Sequence, residues 1–149
     1  MRIALYQPEI AGNVGAILRL AACFGVGVDV IEPCGFVFSD ARLKRAGMDY
    51  IEHVDLVRHS DWNDFRAQHR GRLMLLTTHG TVALHQTEFR PDDILLFGNE
   101  GSGVPPEVAA IADARIRIAI RPEARSFNLS VACGIAVAEA LRQTGDLPR

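Results

Sequence analysis

Residues 93–106, DILLFGNEGSGVPP, carry the reading on which the fold turns. Asp93–Phe97 is a short, nearly uninterrupted apolar run bounded by turn formers, the pattern of a buried strand. Gly98, Gly101 and Gly103 follow within six positions, so the chain turns tightly and another group can come close. Pro105 and Pro106 then open a helix through about Ala112, where a missing N–H costs nothing. Strand, glycine turn and helix make one unit.

The same unit recurs on both sides. Arg2–Gln7 reads as a strand and Asn13–Phe24 as a helix whose apolar face holds Ile17, Leu18, Leu20, Ala21 and Phe24. Val26–Ile31 is a second strand. Ser39 caps a short helix over Asp40–Ala46, stopped by Gly47, and Tyr50–Val54 is a short strand. Ser60 caps a helix through about His69, and Arg72–Thr77 is a strand. After the central unit come a strand over Arg115–Ile120 and a helix over Asn128–Thr144, ended by Gly145. Strands alternating with helices give an α/β fold, a mostly parallel sheet with helices on both faces. At 149 residues the chain fits a single domain, residues 1–149. Ligands of such sheets bind at the carboxyl ends of strands.

Composition narrows the class. The chain is 48% hydrophobic and 23% charged, as soluble globular proteins are. Its formal net charge of −2 argues against a protein that coats nucleic acid non-specifically. A selective RNA enzyme needs only a local basic patch, and Arg42, Lys44 and Arg45, or Arg115, Arg117, Arg121 and Arg125, offer one; a solvated face is the alternative for either. The three cysteines, Cys23, Cys34 and Cys133, form no C-x-x-C pair and suit a reducing compartment. Met1–Leu5 is too short for a signal-peptide core, and no uncharged stretch approaches the ~20 apolar residues of a membrane span. A cytoplasmic protein without a membrane anchor is expected. The last helix is apolar nearly all round, so it is buried on most sides. It is either the centre of one monomer or covered in part by a second subunit, and the limited cover of so small a domain favours the second.

Three strand-end segments are rich in polar and glycine residues. AGNVGAILR (residues 11–19) places Asn13 and Gly15 in the first helical turn and Arg19 six positions after Asn13, pointing elsewhere but long enough to reach back. FGNEGSG (97–103) holds one charge, Glu100, inside its turn. ARSFNLS (124–130) sets Ser126, Asn128 and Ser130 before the apolar helix, where Ser126 and Asn128 are natural caps. The glycine pattern is neither G-x-G-x-x-G nor a P-loop. The five histidines show no metal-ligand spacing along the chain, and no G-x-S-x-G elbow or deaminase motif is present.

Taken together, Asn13-x-Gly15 with Arg19, Phe97-Gly98-x-Glu100-x-x-Gly103 and Ser126-x-Asn128-Leu129-Ser130 resemble the SPOUT superfamily of methyltransferases, in its TrmH-like branch of RNA ribose methylases. LYQPEI (5–10) and RLKRAGMDY (42–50) extend the resemblance to a member acting on the wobble ribose of leucine tRNAs. The resemblance implies a C-terminal deep trefoil knot, which sequence patterns alone never suggest, and a homodimer. It also implies S-adenosylmethionine as methyl donor and tRNA as partner, with no metal. Donor contacts would fall at Leu76, Gly98, Ile118 and Ser126, with Gly103 and Leu129 nearby; Arg19, Asn13, Glu100 and Asn128 would be the catalytic group. Arg19 would stabilise the developing alkoxide and hold a phosphate, since a guanidinium does not deprotonate. One departure is Ala119, where relatives often carry proline, which leaves that loop less pre-set. Methylation of rRNA or of another tRNA position, and a non-catalytic nucleotide-binding module, are the alternatives.

Overall fold

A computed structural model describes residues 1–39, 41 and 51–149. Among the described residues, seven parallel strands form one sheet in the order β3-β2-β1-β6-β4-β7-β5. They are β1 (Arg2–Tyr6), β2 (Gly27–Ile31), β3 (Leu56–His59), β4 (Leu73–Leu76), β5 (Val82–Ala83), β6 (Ile94–Phe97) and β7 (Ala114–Arg117). The described helices are α1 (Ala11–Phe24), α2 (Trp62–Gln68), α3 (Pro106–Ile111) and α4 (Leu129–Thr144).

The central strands β1, β6 and β4 are buried on both faces, which is why they read as unbroken apolar runs. Successive side chains of a strand alternate between faces. Ile3, Leu5, Met74, Leu95 and Phe97 therefore pack on one side with Ile17, Leu18 and Ala21 of α1 and Cys133, Ala136 and Val137 of α4. Ala4, Leu73, Leu75, Ile94 and Leu96 pack on the other with Phe65 of α2 and Val108 of α3. These two cores confirm the α/β sheet with helices on both faces.

Several boundaries differ from the sequence expectation. Residues Ile51–His53 form a 3-10 turn rather than a strand, and the strand begins later, at Leu56. Asp61, not Ser60, caps α2: its carboxylate accepts the Asp64 N–H at 2.8 Å, while the Ser60 N–H goes to the Asp64 carboxylate at 3.0 Å. The strand expected over 115–120 ends at Arg117, and α1 starts two residues before Asn13. α4 keeps its expected limits, with Asn128 as N-cap and Gly145 in the left-handed conformation at its end. The short helix expected over 40–46 and the basic group Arg42, Lys44 and Arg45 lie outside the described residues. No described helix is long and apolar enough to cross a membrane.

Candidate active site

The loop after β6 is built on close backbone approach. A Cβ on Gly98 would stand 2.6 Å from the Gly103 carbonyl carbon, so only glycine fits. Asn99 and Gly103 exchange both backbone N–H···O bonds at 2.9 Å, and Gly103 sits at φ +67°. The Asn99 side chain accepts the Gly101 and Ser102 N–H groups and donates to the Gln7 carbonyl at 2.6 Å. Gln7 itself has φ +45°, a left-handed conformation that costs a non-glycine residue about 1–3 kcal/mol and must be held by its surroundings. Asn99 and an N–H bond from Gln7 to the Ile31 carbonyl hold it.

Glu100 ties this loop to the next. The N-cap of α1 is Ile10, which has no capping side chain. The Glu100 carboxylate reaches the chain just before the helix from across the fold, accepting the Glu9 N–H at 2.7 Å, the Ile10 N–H at 3.4 Å and the Asn13 side-chain amide at 3.4 Å. A negative charge there also meets the positive end of the helix dipole. Asn13 is buried and accepts from the Asn128 side-chain amide at 3.0 Å. Asn128 in turn accepts from the Ser130 N–H at 2.9 Å and hydroxyl at 2.6 Å, fixing the start of α4. One hydrogen-bonded chain, Glu100–Asn13–Asn128–Ser130, thus joins the three segments singled out by sequence.

They enclose a cleft of about 820 Å³ at the carboxyl ends of β4, β6 and β7. Asn13, Leu76, Gly98, Glu100, Gly103, Ile118, Ser126, Asn128 and Leu129 all line it. Arg19 does not: it is exposed on α1, six residues and about 9 Å of helix rise beyond Asn13. Phe97, Ile116, Ile120 and Phe127 complete apolar walls, and Arg117 and Arg125 bring positive charge. Glu100 is the one carboxylate among the described lining residues. Sequence reasoning missed the contribution of Thr77, Thr78 and His79, in the turn that ends at Gly80. There the turn runs against β7 so closely that a Cβ on Gly80 would lie 2.4 Å from the Arg117 nitrogen. The H-G pair after an apolar strand was the available signal. It also missed Gln7 and Asn99, whose part is backbone geometry.

Residues 1–138 match the SpoU rRNA Methylase family. This chain belongs to that family. Among SpoU relatives it is 49% identical over 150 residues to the tRNA (cytidine(34)-2'-O)-methyltransferase of Beijerinckia indica subsp. indica, covering 99% of this chain and 94% of that protein. It is similar to a solved structure described as giving insights into the 2-OH methylation of C/U34 on tRNA, at 42% identity, TM-score 0.90, and coverage of 95% of this chain and 94% of that one. An AdoMet-bound rRNA methyltransferase from Sinorhizobium meliloti is similar at 30% identity and TM-score 0.85, over 95% of this chain and 55% of that longer one. The histidines, without ligand spacing along the chain, are not all apart in space: His59 and His69 both reach Asp29, at the far edge of the sheet.

Proposed function

We propose that this chain transfers a methyl group from S-adenosylmethionine to the ribose 2′-hydroxyl of the wobble nucleotide, position 34, of tRNA, with leucine tRNAs as substrates. The reading includes a cytoplasmic homodimer with the C-terminal segment tied in a deep trefoil knot. The observation that carries it is the Glu100–Asn13–Asn128 chain, which gathers three distant loops around one cleft. Its relatives at similar length act, by name, on cytidine 34 of tRNA.

The cleft suits such a donor. Its size lies within the range of small-molecule sites, and its apolar walls with a few convergent polar groups suit a flat base attached to a polar tail. Leu76, Phe97, Ile118 and Leu129 would flank the base; Gly98, Gly103 and Ser126 would offer backbone and hydroxyl groups. Bound S-adenosylmethionine supplies a methyl group already activated by its sulfonium, so the reaction calls for no metal. What the protein must add is alignment, worth several kcal/mol of barrier. Glu100 and Asn13 are positioning residues, each holding the other in place, and Asn128 links them to α4. Arg117 and Arg125 would take RNA phosphates at the mouth of the cleft.

Arg19 stabilises the developing alkoxide and holds the neighbouring phosphate in this reading. Its place outside the cleft of its own chain supports a homodimer, in which α1 of one protomer faces the site of the other. The exposed apolar side chains Ile10, Phe127 and Val131 surround that region.

Incubation with labelled donor and total tRNA, followed by mapping of the methylated nucleotide, tests the function. The expected product is a 2′-O-methylated nucleotide at position 34 of leucine tRNAs. Label in rRNA, or at another tRNA position, would overturn the substrate assignment.

A further inference from the structure

At the opposite edge of the sheet lies a cluster the methylation chemistry does not use. Asp29 of β2, His59 of β3 and His69 just after α2 come together beneath α2, and the Asp29 and His59 side chains are fully buried. The Asp29 Oδ1 atom lies 2.7 Å from His59 Nε2 and 3.0 Å from His69 Nε2. The three donor atoms all fall within 4.8 Å of one another. Phe65 packs against both rings, at 5.2 and 5.5 Å between centroids, and sets their orientation.

We propose that Asp29, His59 and His69 bind a divalent first-row metal ion of the zinc type. One carboxylate and two imidazoles are a donor set such ions take, with water completing the coordination. Two features outside the donors support it. The second Asp29 oxygen is held by Arg2 Nε at 2.6 Å, which leaves Oδ1 as a single fixed ligand atom. On the far side of His59, Nδ1 is buried without a hydrogen-bond partner, and the nearest carboxylate oxygen, on Asp64, is 3.8 Å away.

The tautomer explains that orphan. A neutral His59 donating Nε2–H to Asp29 leaves a bare lone pair at Nδ1, facing a carboxylate that cannot donate to it. With a metal on Nε2 the proton sits on Nδ1 and points at Asp64, the carboxylate–histidine–metal arrangement that orients ligands. Asp29, Asp55 and Asp64 stand near the site against Arg2, which also pairs with Asp55, and Arg66, which donates to the His69 carbonyl. The carboxylates named outnumber the guanidiniums by one, with Arg2 turned to the Asp29 oxygen away from the histidines. Donors bonded at about 2.0–2.1 Å in a tetrahedron stand about 3.3 Å apart. The two Asp29–histidine distances, 2.7 and 3.0 Å, need open by only about half an ångström, and His69, partly exposed in a connecting segment, is the ligand able to move. The ion would tie β2 and β3 to the end of α2.

The test is titration of chelator-treated protein with Co²⁺ and Zn²⁺, read by cobalt visible absorption, native mass spectrometry and thermal melting. One ion per chain and a higher melting temperature are expected. His69→Gln should weaken binding at least 10-fold and Asp64→Asn about 10-fold, while changing the exposed His53 and His85 to Gln should leave it intact. No stoichiometric ion, unchanged binding in a folded His69→Gln variant, or loss on changing His53 and His85 would each overturn the proposal.

Discussion

The two ends of the sheet solve opposite problems. At the β6 end, polar loops converge on an open cleft, and Glu100, Asn13 and Asn128 hold one another while leaving the surface in front of them accessible. At the β3 end, Asp29 and His59 are buried beneath an aromatic helix face with His69 at its margin, and Asp29 Oδ1 holds both imidazoles. The first arrangement spends little packing to keep groups presentable; the second buries charge within a close-packed core. Damage should therefore separate cleanly: lesions at the β6 end weaken donor and RNA chemistry, lesions at the β3 end weaken stability.

The largest effect is expected at the β3 end. Phe65 is fully buried and touches Trp62, His59 and His69. Phe65→Ala should cost about 3–5 kcal/mol in denaturant unfolding, with donor affinity unchanged in the fraction that stays folded. Next comes Arg19→Ala, expected to lower methyl transfer by about 100- to 1,000-fold, the cost of one lost transition-state donor, while calorimetric donor binding is retained. Equal losses in both would move Arg19 from chemistry to folding.

A smaller change is expected from Asn128→Ala. It removes the α4 cap, worth about 1 kcal/mol, and the bond to Asn13. Unfolding should show that loss, and transfer should fall further than stability does, because Asn13 and Glu100 lose their register. The smallest effect is on the exposed face of α4. Hydrogen bonds from Arg142, and then Gln143, hold the Glu139 carboxyl down at about 2. A depressed carboxyl stabilises the fold above its unfolded pKa and loses that contribution as pH falls from about 4.5 toward 2. Glu139→Gln should cost about 0.5 kcal/mol or less at neutral pH, as partly solvated pairs do, and the gap from wild type in pH-dependent melting should close in acid.

The same comparison explains what the sequence discloses. Each loop of the cleft carries a local pattern, glycines with a glutamate or a serine with an asparagine, so its residues stand out one loop at a time. The Asp29 cluster takes single residues from three segments and has no local pattern. β3 was misplaced because an edge strand reading LVRH shows little alternation, and β5 has only two residues. The helix α1 starts two residues before Asn13 because its N-cap is Ile10, an apolar residue without a capping side chain, and the carboxylate that fixes residues 9 and 10 is Glu100, about ninety positions away. Asn128, capping its own helix, was legible for the converse reason. The position of Arg19 along α1 was readable as a direction, but not its distance from the cleft.

The central claim is that the start of α1 at Asn13 and the loops 97–103 and 124–130 form one donor site. Calorimetric titration of S-adenosylmethionine into wild-type protein and Gly98→Ala tests it most directly, because the added methyl would collide with the Gly103 backbone at 2.6 Å. One donor per chain for wild type and no measurable binding by the folded variant is the predicted result. No binding by wild type, or equal affinity in the two proteins, would contradict it.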